Sequence, residues 1–175
     1  VSKGNSYTTA IDSTGALYTW GLNNVGQLGD GTTINKSSPI QIGLSQVFVK
    51  GIGTANNASL AITTDNKLYA WGVNTYGQLG VTTTSYSWIM VSNNDSSTFS
   101  LGIRNDGLLF SWGQNYSGLR AIGNYLGTNN ASSPVQIGTS SWTQVNVNAS
   151  ATSAIRTDGK LYNWGALATM PRSEE

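Results

Sequence analysis

The side chains that most often do chemistry are nearly missing from this chain. It has no Cys and no His among its 175 residues, which excludes a thiolate nucleophile, a redox pair, an imidazole base, a disulfide and a Cys/His zinc site. Carboxylates remain. Asp30, Asp106 and Asp158 lie in turn-like stretches, where a carboxylate bonds its own backbone more readily than it binds metal or serves as an acid. No two carboxylates recur at a spacing suited to glycoside hydrolysis. Gly51-Ile52-Gly53 lacks the further Gly and the Lys-Ser/Thr step of a phosphate loop. Asn35, Asn57, Asn94, Asn115, Asn130 and Asn148 each begin an N-x-S triplet, which matters only in a glycosylating host. The chain therefore reads as non-enzymatic, with no cofactor and no metal.

What does recur is a pattern of apolar residues. AIRTDGKLYNWG (154 to 165) aligns without gaps on AIDSTGALYTWG (10 to 21), AITTDNKLYAWG (61 to 72) and GIRNDGLLFSWG (102 to 113). Leu17, Leu68, Leu109 and Leu161 share one position, and Trp20, Trp71, Trp112 and Trp164 another; these eight are the expected structural core. Apolar residues alternate on each side of a turn pair, which predicts a β-hairpin. The turn pairs are Thr14-Gly15, Asp65-Asn66, Asp106-Gly107 and Asp158-Gly159, suited to a two-residue type I′ loop. Burying each large side chain should stabilise by roughly 1.5 to 3 kcal/mol. A lone hairpin remains marginal, so each copy needs its neighbours.

The hairpins sit in modules of about 50 residues, as expected for a repeat array. VSKGNSYTTAI at the start matches VNVNASATSAI at 145 to 155, so the chain opens on a strand that enters a hairpin. Glycine-rich loops follow the Trp-Gly pairs: LNNVGQLGDGTT and VNTYGQLGVTTT. SSPIQIG (37 to 43) and SSPVQIG (132 to 138) read as short strands opening on Pro, each followed by a further strand, QVFVK (46 to 50) and WTQVNV (142 to 147). The middle module is about ten residues short, and SYSWIMV (85 to 91) stands where the others have SSPxQIG, with Trp88 in place of Pro. The third loop carries an insertion, LRAIGNY. Insertions in repeat proteins map to loops on one face, often the binding face. Arg120 and Tyr125 are thus candidate partner contacts, set against a merely tolerated insertion. Trp88 and Trp142 break the repeat and are candidate exposed anchors for protein or sugar, set against burial between sheets.

The succession WG, N-x-x-G-Q-L-G and S-x-P-x-x-I resembles the repeats of the regulator of chromosome condensation family. It is carried by Trp20-Gly21, Gly26-Gln27-Leu28-Gly29-Asp30-Gly31 and Pro39, then by Trp71-Gly72 and Gly77-Gln78-Leu79-Gly80. The resemblance implies an all-β fold of propeller blades, four antiparallel strands each, in rings of seven. Residues 1 to 165 hold three full repeats and one hairpin, with 166 to 175 an irregular tail, so a partial propeller is expected. A full ring would need about twice this length, and open blades leave unpaired strand edges. A longer chain, another copy or a partner is expected to cover them.

Charged residues make up 10%, nine basic against eight acidic, far from the basic patch of a nucleic-acid binder. No apolar run is long enough for membrane insertion. The family implies guanine-nucleotide exchange and chromatin binding in its founding member, and inhibition of β-lactamases in some bacterial members; no exchange-factor loop matches here residue by residue. The Ser/Thr/Asn-rich linkers resemble bacterial and phage repeats more. The expected role is a non-catalytic structural or protein-interaction propeller, on a phage particle or microbial surface, with protein partners that include other copies or neighbouring virion proteins. The alternative is a soluble regulatory binder, either exchange factor or enzyme inhibitor, in the cytoplasm.

Overall fold

The computed structural model describes residues 1–4, 6–53, 57–80, 86–93, 98–115, 130–148 and 151–165. Every element among them is a β-strand. The four hairpins form in one common register, Ile11 opposite Leu17, Ile62 opposite Leu68, Ile103 opposite Leu109 and Ile155 opposite Leu161. Identical apolar spacing has produced identical pairing.

The first blade comprises β1 (Ser2–Lys3), β2 (Tyr7–Ile11), β3 (Leu17–Gly21) and β4 (Lys36–Ile42), in that order across the sheet. The second comprises β5 (Phe48–Gly53), β6 (Ala58–Thr63) and β7 (Leu68–Gly72). In the third, β8 (Trp88–Asn93), β9 (Phe99–Arg104) and β10 (Leu108–Gly113) are completed by the first part of β11 (Ala131–Val147). The second part of β11 pairs with β12 (Ala151–Arg156), which pairs with β13 (Leu161–Gly165). One long strand thus serves as the last strand of the third blade and the first strand of the fourth.

Two expectations are corrected. The turns are not type I′, because only their second residue takes positive φ: Gly15 at 85°, Asn66 at 62°, Gly107 at 86° and Gly159 at 82°. In the first hairpin Gly15 N donates to Asp12 O and Asp12 N to Ala16 O, which makes a three-residue loop, a turn followed by one left-handed residue. Second, Trp88 does not replace Pro39. It stands opposite Arg104, as Phe48 stands opposite Thr63 and Trp142 opposite Arg156, and an irregularity follows all three. SYSWIMV therefore feeds the innermost strand of the third blade. The shortening of the middle module falls between Gly80 and Trp88, and no counterpart of β4 occurs among the described residues of the second blade.

The cores lie between blades. Leu17 and Ile42 pack with Phe48 and Ala61; Leu60 and Ile62 pack with Trp88, Phe110 and Trp112; Phe99, Leu101 and Leu109 pack with Trp142, Val145 and Ala154. Each cluster spans two consecutive blades, so a single module is not a stable unit. Of the eight expected core residues, Leu17, Leu109 and Trp112 are fully buried. Trp20, Leu68, Trp71 and Trp164 are half-buried. Leu161 departs from the expectation, being 62% exposed, because no fourth strand lies beside β13 among the described residues.

Candidate interaction surfaces

The Gly-Gln-Leu-Gly loop is the joint between blades. In the first copy Asn23 is buried and its side-chain oxygen accepts the Leu28 amide at 2.9 Å. Its side-chain nitrogen donates to Asp30 Oδ1 and to the Thr32 and Ile34 carbonyls. Gln27 folds back to accept the Val25 amide and donates across the seam to Asn57 Oδ1 at 3.0 Å. So braced, the loop points the Gln27 carbonyl at the next blade, where Trp71 Nε1 donates to it at 2.9 Å and Ser59 Oγ at 3.0 Å. The second seam repeats this arrangement: Trp112 Nε1 donates to the Gln78 carbonyl at 2.9 Å and Ser100 Oγ at 3.0 Å.

The same contact explains the last glycine of the loop. A Cβ on Gly29 would lie 2.7 Å from Trp71 Nε1, and one on Gly80 would lie 2.6 Å from Trp112 Nε1. The indole therefore packs directly on main chain. Asp30 is tied to the joint by Lys36 at 3.2 Å. Burial pushes its carboxyl up, yet the Thr32 amide and hydroxyl, the Asn23 amide and Lys36 together hold it down at about 2.

The hairpin carboxylates serve their own turns. Asp12, Asp106 and Asp158 accept the amide two residues onward, from Thr14, Leu108 and Lys160. Arg104 holds Asp106 below the usual carboxylate range, and Lys67 with Thr63 does the same for Asp65. Among the described residues no three His, Cys, Asp or Glu gather as a metal set.

Of the candidate partner contacts, Trp88 is 3% exposed and Trp142 is 8% exposed. As exposed anchors they are corrected: both are inner-strand wedges. Trp88 packs edge-on against Phe110 at 5.6 Å and Trp142 against Tyr162 at 5.3 Å, as Phe48 does against Tyr69 at 5.8 Å. The spacing from each of these aromatics to the next hairpin could have revealed the equivalence. Arg120 and Tyr125, like the tail 166–175, lie outside the described residues. The sequence reading overlooked the exposed apolar residues Val47, Val49 and Ile89, at 49%, 53% and 38%, which flank or follow the wedge position where no alternation marks them.

Comparison with known proteins now bears on this seam. Residues 14–62 and 65–94 match the model of the regulator of chromosome condensation (RCC1) repeat, and 49–78 match a second model with that description. These are RCC1 repeats. The matched stretch contains the Trp71–Gln27 joint and both Gly-Gln-Leu-Gly loops. The ultraviolet-B receptor UVR8 of Arabidopsis thaliana is 38% identical over 82 residues, covering 46% of this chain and 19% of that protein. The X-linked retinitis pigmentosa GTPase regulator homolog of Caenorhabditis elegans is 38% identical over 87 residues, covering 47% of this chain and 6% of that one. Among solved structures, human WBSCR16 superposes with a TM-score of 0.78 at 22% identity, over 93% of this chain and 46% of that one. Yeast RCC1 (Prp20), in complex with Kap60, gives 0.77 at 17%, over 94% and 41%. The RCC1 fold is thereby shown, as a partial propeller: this chain spans less than half of each of these proteins.

Proposed function

We propose that the chain is a non-catalytic propeller segment whose rigid blades present loops to protein partners, as a structural component of a phage particle or microbial surface. The observation that carries this reading is the commitment of its polar side chains to architecture. Asn23, Gln27, Ser59 and Ser100 hold the seams, and Asp12, Asp106 and Asp158 hold turns. Side chains so bonded support a scaffold better than a reaction centre. The low charge and the Ser/Thr/Asn-rich loops suit a particle or an extracellular setting, and the insertion bearing Arg120 and Tyr125 is the proposed variable contact.

A second reading is a soluble regulatory binder. It is favoured by the structural neighbours: yeast RCC1 (Prp20) is described bound to Kap60, and in a further structure with binding properties toward Gsp1p and histones. Intact mass and light scattering on the protein from its source test the two. Many copies recovered only with a large particle are expected for the structural role. A soluble species in one-to-one complex with a partner overturns that role and supports the regulator.

A further inference from the structure

The second blade differs from its two neighbours on its outer side, between two fixed points of the chain. In the first blade β4 lies beside β3, with Ile42 opposite Leu17 and Ile40 opposite Thr19. In the third, β11 lies beside β10 in the same register, with Ile137 opposite Leu109 and Val135 opposite Ser111. In the second, no strand lies beyond β7 among the described residues. The length of chain available differs too. Eighteen residues, 30–47, join the first Gly-Gln-Leu-Gly loop to Phe48, and they supply an approach, a seven-residue strand and a return. Only seven, 81–87, join the second loop to Trp88. Both ends of this link are anchored, the loop by the Trp112 indole on the Gln78 carbonyl and Trp88 by its amide on the Asn66 carbonyl. Seven residues are too few for all three parts.

Three features mark β7 as a receiving edge. The Thr63 amide donates to the Lys67 carbonyl and the Val73 amide to the Asn57 carbonyl, and the alternation these bonds set turns the N–H and C=O of Leu68, Ala70 and Gly72 away from β6. The strand, LYAWG, has no charge and no Pro to guard that edge, and Tyr69 is 37% exposed where its counterpart Phe110 is 4%. A cavity of about 750 Å³ lies beside Trp71, lined also by Gly26, Gly29 and Ile34. At the second seam the outer strand of the next blade covers the matching glycine: a Cβ on Gly77 would lie 2.5 Å from Ser132 Cα, whereas one on Gly26 would meet nothing within 4 Å. We propose that this edge captures an extended segment of another polypeptide, which adds antiparallel to β7 as its outer strand. Main-chain pairing supplies affinity in such strand addition, and the fit of alternate side chains supplies selectivity. The two filled blades define the occupant. Both use Ser-Ser-Pro, a β-branched residue, Gln and Ile at this place, with the Ile opposite the Leu that Leu68 matches. The edge is separate from the loop contacts proposed above, so either reading can fail alone.

The test uses the 175-residue chain and a fluorescently labelled synthetic peptide, Lys-Ser-Ser-Pro-Ile-Gln-Ile-Gly, the sequence of residues 36–43. Saturable binding is expected by anisotropy. N-methylation of the first Ile, which takes the place opposite Ala70, removes a main-chain donor while keeping every side chain, and should weaken binding at least about tenfold. Replacing the last Ile, set opposite Leu68, by Asp should weaken it to the same degree. On the protein, Ala70→Pro removes an outward N–H that β6 does not use and should abolish binding. Leu161→Asp, an exposed change in the fourth blade, should leave it unaltered. Replacing residues 81–85 by the sequence of residues 30–45 gives the second blade an outer strand of its own. This graft should abolish peptide binding and raise the melting temperature by about 4 °C, and it decides the matter even where Ala70→Pro fails to fold. Absence of saturable binding, equal binding of the methylated and unmethylated peptides, or a graft with unchanged melting and undiminished peptide binding would overturn the proposal.

Discussion

Leu109 and Leu161 hold one position in the repeat, yet the first is fully buried and the second is 62% exposed. Their hairpins are the same, with Ile103 and Ile155 opposite them. The difference is the neighbour. Leu109 also faces Ile137 of β11, as Leu17 faces Ile42 of β4, whereas among the described residues β13 has no strand on its far side. The repeat sequence encodes a hairpin, and adjoining strands and blades convert it into a core. Stability in such an array is a sum over seams.

The sharpest way to break this comparison is to truncate the Trp of each hairpin. Trp112 is fully buried, donates to the Gln78 carbonyl and contacts Trp88 at 5.3 Å. Trp112→Ala should cost about 3 to 5 kcal/mol in urea unfolding, as large core truncations do. Trp164 is only half-buried, and Trp164→Ala should cost less than half as much. Equal losses would mean that the seams do not carry the stability. Leu109→Ala and Leu161→Ala repeat the contrast with a smaller side chain: about 2 to 5 kcal/mol for the first and within about 0.5 kcal/mol for the second.

Much of this was legible in the sequence, and the reasons are local. Hairpin register followed from the alternation around Leu17 and its counterparts, because a slip of one residue would turn every apolar side chain outward. The turn type was misread, since residue pairs such as Asp-Gly suit both type I′ loops and the three-residue loop that formed. Trp88 was misplaced because matching by order in the chain set it against Pro39, while its distance from Ile103 sets it against Phe48. The joint itself was invisible: the Trp71 and Trp112 indoles bond to the main-chain carbonyls of Gln27 and Gln78, and a carbonyl leaves no mark on residue type. Only the glycine that admits the indole does.

That glycine allows a finer contrast within one kind of loop. Gly26 and Gly80 both have positive φ, 79° and 65°. A Cβ at Gly26 would meet nothing within 4 Å, whereas at Gly80 it would sit 2.6 Å from the Trp112 indole. Gly26→Ala should therefore cost only the left-handed backbone penalty, about 1 kcal/mol. Gly80→Ala adds overpacking of the seam and should reach about 2 to 3 kcal/mol. Similar melting temperatures for the two variants would mean that the indole moves aside freely.

The smallest expected effect separates the two Gly-Gln-Leu-Gly loops by charge. The first continues with Asp30 and the second with Val81. Asp30 titrates at about 2 in the folded chain against an ordinary 3.8. A depressed carboxylate contributes stability above its unfolded pKa and loses it as pH falls through the folded value, here between about 4 and 2. Its side chain is 11% exposed, so solvent screening leaves a contribution on the order of 1 to 2 kcal/mol. Asp30→Asn should thus lower the urea midpoint at pH 7, and the gap to the parent should close on acidification to pH 2. Asp12, Asp65 and Asp106 are also depressed, so both proteins weaken in acid, and only the difference between them reports Asp30. A gap that persists unchanged at pH 2 would show that the loop depends on the shape of this side chain and its hydrogen bonds, and that its charge adds nothing to the first joint that the second lacks.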